Sequence, residues 1–345
     1  MCFDLKLFFN NISTYFLETQ KVAKNLNLDN IITFQYFQRT NNVCLCGINE
    51  AVNLIKMVDK SIEVYALKDG DIINNNTPVL KLVTTYYKGI IFENTINGIL
   101  SRQSSIATNC YWVVKYLEPK KKDIIFMADR CDHYINQPND GYAAYVGGIR
   151  LFSSKSEIQK INEKLPLYGS IPHSFIQLND GDILKSCENY LKFYKKIICL
   201  IDYNNNVIDD ALKVAKKFRG KITGFRVDTS IKLIDKFFLN NPKYKNFQRS
   251  KLKGTNPELI FALRKKLDEN NFKKIKIVVS SGFNLKKIKY FEENNVPVDA
   301  YGVGRSLLKN ICDFTCDAVK NNNTPSAKVG RCEYFDKRLK KINFK

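Results

Sequence analysis

Histidine is scarce here, with 2 residues in 345, and long apolar runs are missing altogether. No segment approaches the roughly 20 uninterrupted apolar residues that a spanning helix requires. The opening Met1-Cys2-Phe3-Asp4 has an acid where a secretory leader has basic residues, and residues 5–9 are too short for its apolar core. The chain is therefore expected to be soluble and cytoplasmic, with its ten Cys reduced. Cys44-x-Cys46 and Cys312-x3-Cys316 are the close cysteine pairs. Neither has a His nearby, and the C-x2-C repeat of a zinc module is lacking, so buried or half-buried thiols are the expectation. Acids are also few: 34 Asp and Glu stand against 55 Lys and Arg, for a net charge of +21. That balance suits a nucleic-acid surface or an anionic substrate. Only residues 120–122 and 337–345 cluster their lysines, and no helix-turn-helix, zinc or RNA-binding motif accompanies them. A solvated basic surface is the better reading, with no nucleic-acid and no membrane partner. What is abundant is apolar material: 44% of residues, including 23 Phe and 18 Tyr, enough for a large core. The length suits two domains.

The first third and the remainder have different rhythms. Residues 13–27 have helical apolar spacing with Thr14 as cap. Strand-like stretches follow at 31–37, 61–67 and 79–84, and the Asp69-Gly70 step between the last two signals a turn. Residues 89–117 predict one long helix, connecting two domains. Beyond residue 120, short apolar runs recur at 124–127, 166–169, 197–201, 222–227, 275–279 and 300–303. Stretches long enough for helices separate them, as at 182–195, 207–218 and 257–270. Alternating strands and helices indicate parallel βαβ units, closed into a barrel or opened into a doubly wound sheet.

In such barrels chemistry gathers where the strands end. The residues that follow each run are Asp129, Arg130 and His133; Ser170, Pro172 and His173; Asp202 and Tyr203; Arg226, Asp228 and Ser230; Ser280, Ser281 and Gly282; Gly302, Gly304 and Arg305. Both histidines are among them. Any one is explained as a turn former or helix cap; six sets in register with the barrel rule are not. Ser281-Gly282 and Gly302-Val303-Gly304 each join a strand to an expected helix start, where approachable N–H groups and the helix dipole would cradle a phosphate. Arg226 and Asp228 alternate on one strand and should project together, either as a plain ion pair or as holders of an anion and of sugar hydroxyls.

These segments, in this order, resemble the nicotinate phosphoribosyltransferases, especially the shorter microbial type. The likeness runs from about Tyr15 to Arg331. It is carried by Tyr15-Phe16-x2-Thr19, Glu93-Asn94-Thr95-x-Asn97-Gly98-x-Leu100 through Ser105-Ile106-Ala107-Thr108, and Arg130-x2-His133. It continues through Ala143-Ala144-Tyr145-Val146-Gly147-Gly148, Gly169-Ser170-x-Pro172-His173-Ser174, Leu200-Ile201-Asp202 and Phe225-Arg226-Val227-Asp228-Thr229. Ser280-Ser281-Gly282 and Asp299-x-Tyr301-Gly302-Val303-Gly304 complete it.

The resemblance implies an α/β protein of two parts. An N-terminal α/β sandwich domain would span 1–112, joined by C-terminal residues 312–345; an irregular, incomplete (βα) barrel of about six to seven strands would span 113–311. It implies pentosyl transfer from phosphoribosyl pyrophosphate to nicotinate, assisted by Mg²⁺ and coupled to ATP through a phosphohistidine, in a homodimer with interface active sites. Carried over by position, His173 is the phosphorylated residue and Asp202 orients it. Arg226 and Ser170 contact the carboxylate, and Tyr15 the pyridine ring. Arg130 and Asp228 contact the substrates near the reacting carbon, and His133 is a further substrate-binding residue. Ser281, Gly282, Gly302, Gly304 and Arg305 hold the 5-phosphate, and Arg102 is lent across the dimer.

Departures stand beside these matches. Ser281-Gly282 replaces a usual Gly-Gly, Arg305 a usual Thr, and Met127 a usual Gly. The aromatic that relatives stack on the pyridine is thus missing or displaced to Phe126, and Cys332 alone does not make a zinc knuckle. Quinolinate phosphoribosyltransferase is the nearest alternative, and a nicotinamide-using enzyme another. Pro172-His173-Ser174 favours nicotinate over the first, and the absence of an Asp at 143–148 favours it over the second.

Overall fold

The computed structural model describes residues 4–344. Residues 1–3 and 345 lie outside the described residues, and with them Cys2 and the outermost ends of the expected sandwich domain. The chain divides into two compact units. One gathers Met1–Tyr111, Pro138–Gly148 and Leu308–Lys345; the other gathers Trp112–Gln137 and Ile149–Leu307.

The first unit is built on a six-stranded antiparallel sheet. Its order is Thr324–Pro325, Phe314–Asn321, Ile31–Gln38, Leu80–Thr85, Glu63–Ala66, Lys340–Ile342. Phe34, Tyr36, Val64 and Leu82 from the sheet pack with Phe16 of helix Thr14–Asn25 and with Leu54 and Ile55 of helix Ile48–Val58. Helix Thr14–Asn25 lies within the expected 13–27, but Ser13, not Thr14, is the cap position, and its side chain makes no capping bond; a short helix, Leu5–Asn10, precedes it. Gly47 opens the next helix and has no side chain to cap it. Asp69, in the expected turn, does so instead, accepting from the Ile48 N–H at 2.8 Å and the Asn49 N–H at 3.3 Å. The long helix starts at Glu93 and not at 89, because Ile90–Phe92 forms a tighter 3₁₀ turn before it.

The second unit is a curled parallel sheet of six strands: β1 (Asp123–Phe126), β2 (Leu151–Phe152), β3 (Ile197–Leu200), β4 (Ile222–Val227), β5 (Lys276–Val279) and β6 (Ala300–Val303), in the order β2-β1-β6-β5-β4-β3. Helices α1 (His173–Leu178), α2 (Ile183–Leu191), α3 (Val207–Lys217), α4 (Pro257–Glu269) and α5 (Leu285–Glu293) lie between the later strands in the chain. The strands are almost wholly apolar, as befits a parallel sheet covered on both faces. Ile125, Val278 and Ala300 form an inner cluster, with Met127, Leu151 and Tyr168 packed against it.

One expected strand is not a strand. Residues 166–169 form a single bridge, Leu167 to Phe152 of β2. Tyr168 N–H donates to the Phe152 carbonyl at 2.7 Å, and further on Ile171 N–H donates to the Ile198 carbonyl of β3 at 3.3 Å. The segment thus reaches from one edge of the sheet to the other and closes the barrel as a strap. Pro166 and Pro172 bound it, and neither can donate to a ladder. The strand that sequence reading passes over is β2, only two residues long.

Candidate active site at the strand ends

Four polar side chains converge above β4 and β5. Arg226, near the end of β4, donates from Nε to Ser280 Oγ at 2.9 Å and from Nη1 to Ser170 Oγ at 3.4 Å. Its Nη2 lies 3.3 Å from Asp228 Oδ2. Ser280 closes the ring by donating to Asp228 Oδ1 at 2.7 Å. Arg226 and Asp228 do project together, as their alternation predicts. Their side chains are only 17% and 18% exposed, so the charges are largely withdrawn from water yet still reachable. In that setting charge-assisted hydrogen bonds hold the guanidinium in a fixed orientation. Ser280 is the member that the sequence reading names at a strand end but gives no role. It follows β5 directly and is buried, but among small polar residues it looks like a turn former.

Beside this ring stands His173, the first residue of α1. Its Nε2 is 3.2 Å from Asp202 Oδ1, two residues past the end of β3. The Asp202 hydrogen bond raises the imidazole pKa above its ordinary value, against burial, which lowers it. With Nε2–H donated to the carboxylate, Nδ1 is the nitrogen left with a lone pair. The Tyr203 ring lies 6.4 Å away. Tyr168, from the strap, is half-buried; burial pushes its phenol up to about 12, against the opposing pull of Arg226. Its proximity to Arg226 makes it the aromatic closest in character to the one the sequence lacks. Phe126 cannot fill that role: it is fully buried against Phe152, with ring centroids 5.9 Å apart.

The expected phosphate loops differ from the simple picture. Ser281 and Gly282 both have left-handed backbones, φ +78° and +69°, and α5 starts only at Leu285 behind its cap Asn284. Gly304 leads into a single 3₁₀ turn, Arg305–Leu308, and not into an α-helix. The expected dipole at that loop is therefore absent. A Cβ on Gly304 would sit 2.5 Å from the Met127 carbonyl and 3.1 Å from Cys131 Sγ. A Cβ on Gly302 would meet Met127 Sδ at 2.5 Å. Close approach of the chain after β1 thus accounts for both glycines. Met127 fills the space over Gly302. Burial raises the Cys131 thiol, while Arg305 and Arg130 pull it back, so both guanidiniums lie near this loop; both residues are exposed.

The remaining candidates are more local. His133 is exposed, accepts at Nδ1 from the Ile135 N–H at 3.3 Å, and stacks on Tyr134. In the first unit, Tyr15 is 59% exposed on its helix, with its ring centroid 4.1 Å from that of Phe16. Arg102 grips the buried Asp140 with Nε to Oδ1 at 3.0 Å and Nη2 to Oδ2 at 2.7 Å. That bidentate pair gives Arg102 a structural task within its own unit. Cys44, Cys46, Cys312 and Cys316 are buried thiols. Burial pushes Cys44 up to about 12, which keeps it unreactive.

Comparisons with known proteins agree with this architecture. The family described as quinolinate phosphoribosyl transferase, N-terminal domain, matches residues 15–104. A nicotinate phosphoribosyltransferase of Bacillus subtilis (strain 168) is 22% identical over 249 residues, 71% of this chain and 45% of its own length. The chain thus spans about half the length of the curated relatives it matches. Among solved structures, a nicotinate-nucleotide pyrophosphorylase from Pyrococcus furiosus aligns with a TM-score of 0.79 at 23% identity, over 96% of this chain and 80% of that one. Human nicotinic acid phosphoribosyltransferase aligns with a TM-score of 0.66 at 13% identity, over 91% and 76%. The fold is that of the type II phosphoribosyltransferases, with an antiparallel-sheet part and an incomplete parallel barrel.

Proposed function

We propose that this protein is a nicotinate phosphoribosyltransferase, forming nicotinate mononucleotide and pyrophosphate from nicotinate and phosphoribosyl pyrophosphate in NAD biosynthesis. The observation that carries this reading is the closed ring of Arg226, Ser170, Ser280 and Asp228 beside the His173–Asp202 pair. A guanidinium fixed by two hydroxyls and a carboxylate is suited to a planar carboxylate. In the reaction the pyridine nitrogen attacks C1 of the ribose, the C1–O bond to pyrophosphate breaks, and pyrophosphate leaves with the electron pair. Arg226 and Ser170 orient the nicotinate carboxylate, and Asp228 accepts from the ribose hydroxyls. Ser281, Gly282, Gly302, Gly304 and Arg305 hold the 5-phosphate, while Arg130 and His133 lie toward the reacting carbon and the pyrophosphate.

The Nδ1 lone pair of His173 attacks the γ-phosphorus of ATP, the P–O bond to the β-phosphate breaks and ADP leaves with the electron pair, while Asp202 holds the ring through Nε2–H. Tyr15 and Arg102 are offered to the site of the partner in a homodimer. For Arg102 this requires exchange of its Asp140 contact. Magnesium bound to a polyphosphate keeps several waters and needs only one or two carboxylates. Asp228 meets that need, and the ion would stabilise charge growing on pyrophosphate. Among the described residues no helix is long and apolar enough to cross a membrane. A cytoplasmic location is part of the proposal.

Quinolinate transfer with loss of CO₂ is the second reading, favoured by the family match over 15–104. A second carboxylate would need further cations, and Arg130 and Arg305 are the exposed ones near the Gly304 loop. The test is incubation with phosphoribosyl pyrophosphate and Mg²⁺ plus nicotinate, nicotinamide or quinolinate, with and without ATP, reading mononucleotide by mass. Product from nicotinate, increased by ATP and reduced in His173→Ala, supports the first reading. Product from quinolinate alone replaces it with the second. Product from no acceptor removes both.

A further inference from the structure

The loop after β2 carries a carboxylate to which the transfer reaction gives no part. Glu157 is 0% exposed. Its Oε2 accepts from the Ser153 N–H at 2.9 Å and from the Ser154 N–H at 2.8 Å. In return the Glu157 N–H donates to Ser154 Oγ at 3.3 Å. These reciprocal bonds of Ser154-x-x-Glu157 make a capping box, which ordinarily opens a helix. No helix opens here: residues 155–160 run as turns. Nor does the acid face water. Burial raises its pKa, the two serine N–H groups lower it, and the charge of Asp129 raises it again. Its Oε1 is buried with no hydrogen-bond partner among the described residues. A buried carboxylate with an orphan oxygen is destabilising, so its worth lies in what it holds.

It holds two serines, and each passes the restraint to the loop after β1. The Ser153 hydroxyl is shared between Glu157 Oε2 at 3.2 Å and the carbonyl of Phe126, the last residue of β1, at 2.8 Å. Ser154 Oγ donates to Gln137 Oε1 at 3.2 Å, and Gln137 Nε2 donates to the Asp129 carbonyl at 2.7 Å. The chain after β1 is thus tied at Phe126 and again at Asp129, and Glu157 stands at the root of both ties. Asp129 immediately precedes Arg130, so the exposed guanidinium leaves from a backbone fixed one residue before it. None of these residues belongs to the Arg226 ring, which is built on β4, β5 and the strap.

We propose that Glu157 is a positioning residue for Arg130, acting through Ser154 and Gln137 and reaching no substrate itself. The inference rests on the transferase reading and deepens it: the brace sets where one cation meets the pyrophosphate group, while the carboxylate of the acceptor is held elsewhere. A small displacement of a charged group near the reacting atoms slows the reaction. Glu157→Ala should therefore lower kcat/KM for phosphoribosyl pyrophosphate about tenfold or more and leave KM for nicotinate within about twofold. Gln137→Ala, which cuts the last link, should do the same. Glu157→Gln keeps a carbonyl oxygen for the serine N–H groups and should recover most of the loss.

The sharper test is a double-mutant cycle with Arg130→Ala in the full-length protein. If Glu157 acts through Arg130, adding Glu157→Ala to Arg130→Ala lowers kcat/KM no further. Losses that multiply overturn the inference, and so does a rise in both KM values, because general loosening of the barrel would affect both substrates. Should Glu157→Ala not fold, Gln137→Ala takes its place in the cycle, since Gln137 is only half-buried. Activity of the parent is measured first. An inactive parent removes the transferase reading and this inference together; an active parent with multiplying losses removes this inference alone.

Discussion

One hydrogen bond governs the chemistry available to His173. Because Asp202 holds Nε2, the protonated ring is favoured and its pKa is raised. The stabilisation is fully present below the unfolded-state pKa, near 6.5, and is lost as pH rises through the higher folded value. Nucleophilic attack needs the neutral ring, so ATP-dependent phosphorylation of the chain should climb with pH through that raised value. Asp202→Asn should move the climb to lower pH while reducing its ceiling; a pH profile of phosphohistidine formation that Asp202→Asn leaves unchanged would remove the pairing from the mechanism. Ser280 makes a second claim at this scale. Ser280→Ala deletes both an acceptor for Arg226 and a donor to Asp228. The expected result is a rise in KM for the acid acceptor of roughly tenfold or more, on the scale of a hydrogen bond to a charged group. Equal kinetics in the variant would show that the ring is held without it.

Loops and strands account for what the sequence made legible. The apolar runs near 124, 197, 222, 275 and 300 became parallel strands, because a strand buried on both faces reads as a continuous apolar stretch. The run at 166–169 has the same composition, yet its flanking prolines deny it a ladder. Leu151–Phe152 is too short to leave a periodic signal. His173, Asp202, Arg226, Asp228 and Ser280 could all be found because they follow strand ends, but Ser280 received no role, because a serine there is a common turn residue. Ser281 was read as a phosphate contact, but its φ of +78° is the more specific fact. Left-handed backbone is costly for a residue with a Cβ. Ser281→Gly should raise unfolding free energy by about 1 kcal/mol in chemical denaturation. Gly304→Ala should cost about 1–3 kcal/mol, because its new methyl meets the Met127 backbone, which cannot rotate away. A melt of Gly304→Ala that matches the parent would show that the chain after β1 yields more readily than its packing implies.

At the scale of the molecule, a net charge of +21 would attract the polyanionic substrate of the proposed reaction. Attraction between exposed charges is screened over about 8 Å at physiological ionic strength. The kcat/KM for phosphoribosyl pyrophosphate should therefore fall as salt is raised, while that for a weakly charged acceptor changes less. A salt-independent value would confine the useful charge to the buried groups. The two units keep different kinds of candidate: the barrel unit holds the Arg226 ring and His173, whereas Tyr15 and Arg102 belong to the antiparallel-sheet unit. The strap at 166–172 has one more consequence. A ring of strands closed by a strap has a seam at a fixed place, and here the seam runs from Leu167 to Ile171. Ser170 rides on it and His173 follows directly after. Slackening the Ile171–Ile198 bond shifts the phosphoryl acceptor and one carboxylate contact together, and leaves the five parallel strand pairings intact. The barrel is thus gathered like a drawstring bag, and Ser170 and His173, which the proposed function gives to the carboxylate and to ATP, are knotted to the string.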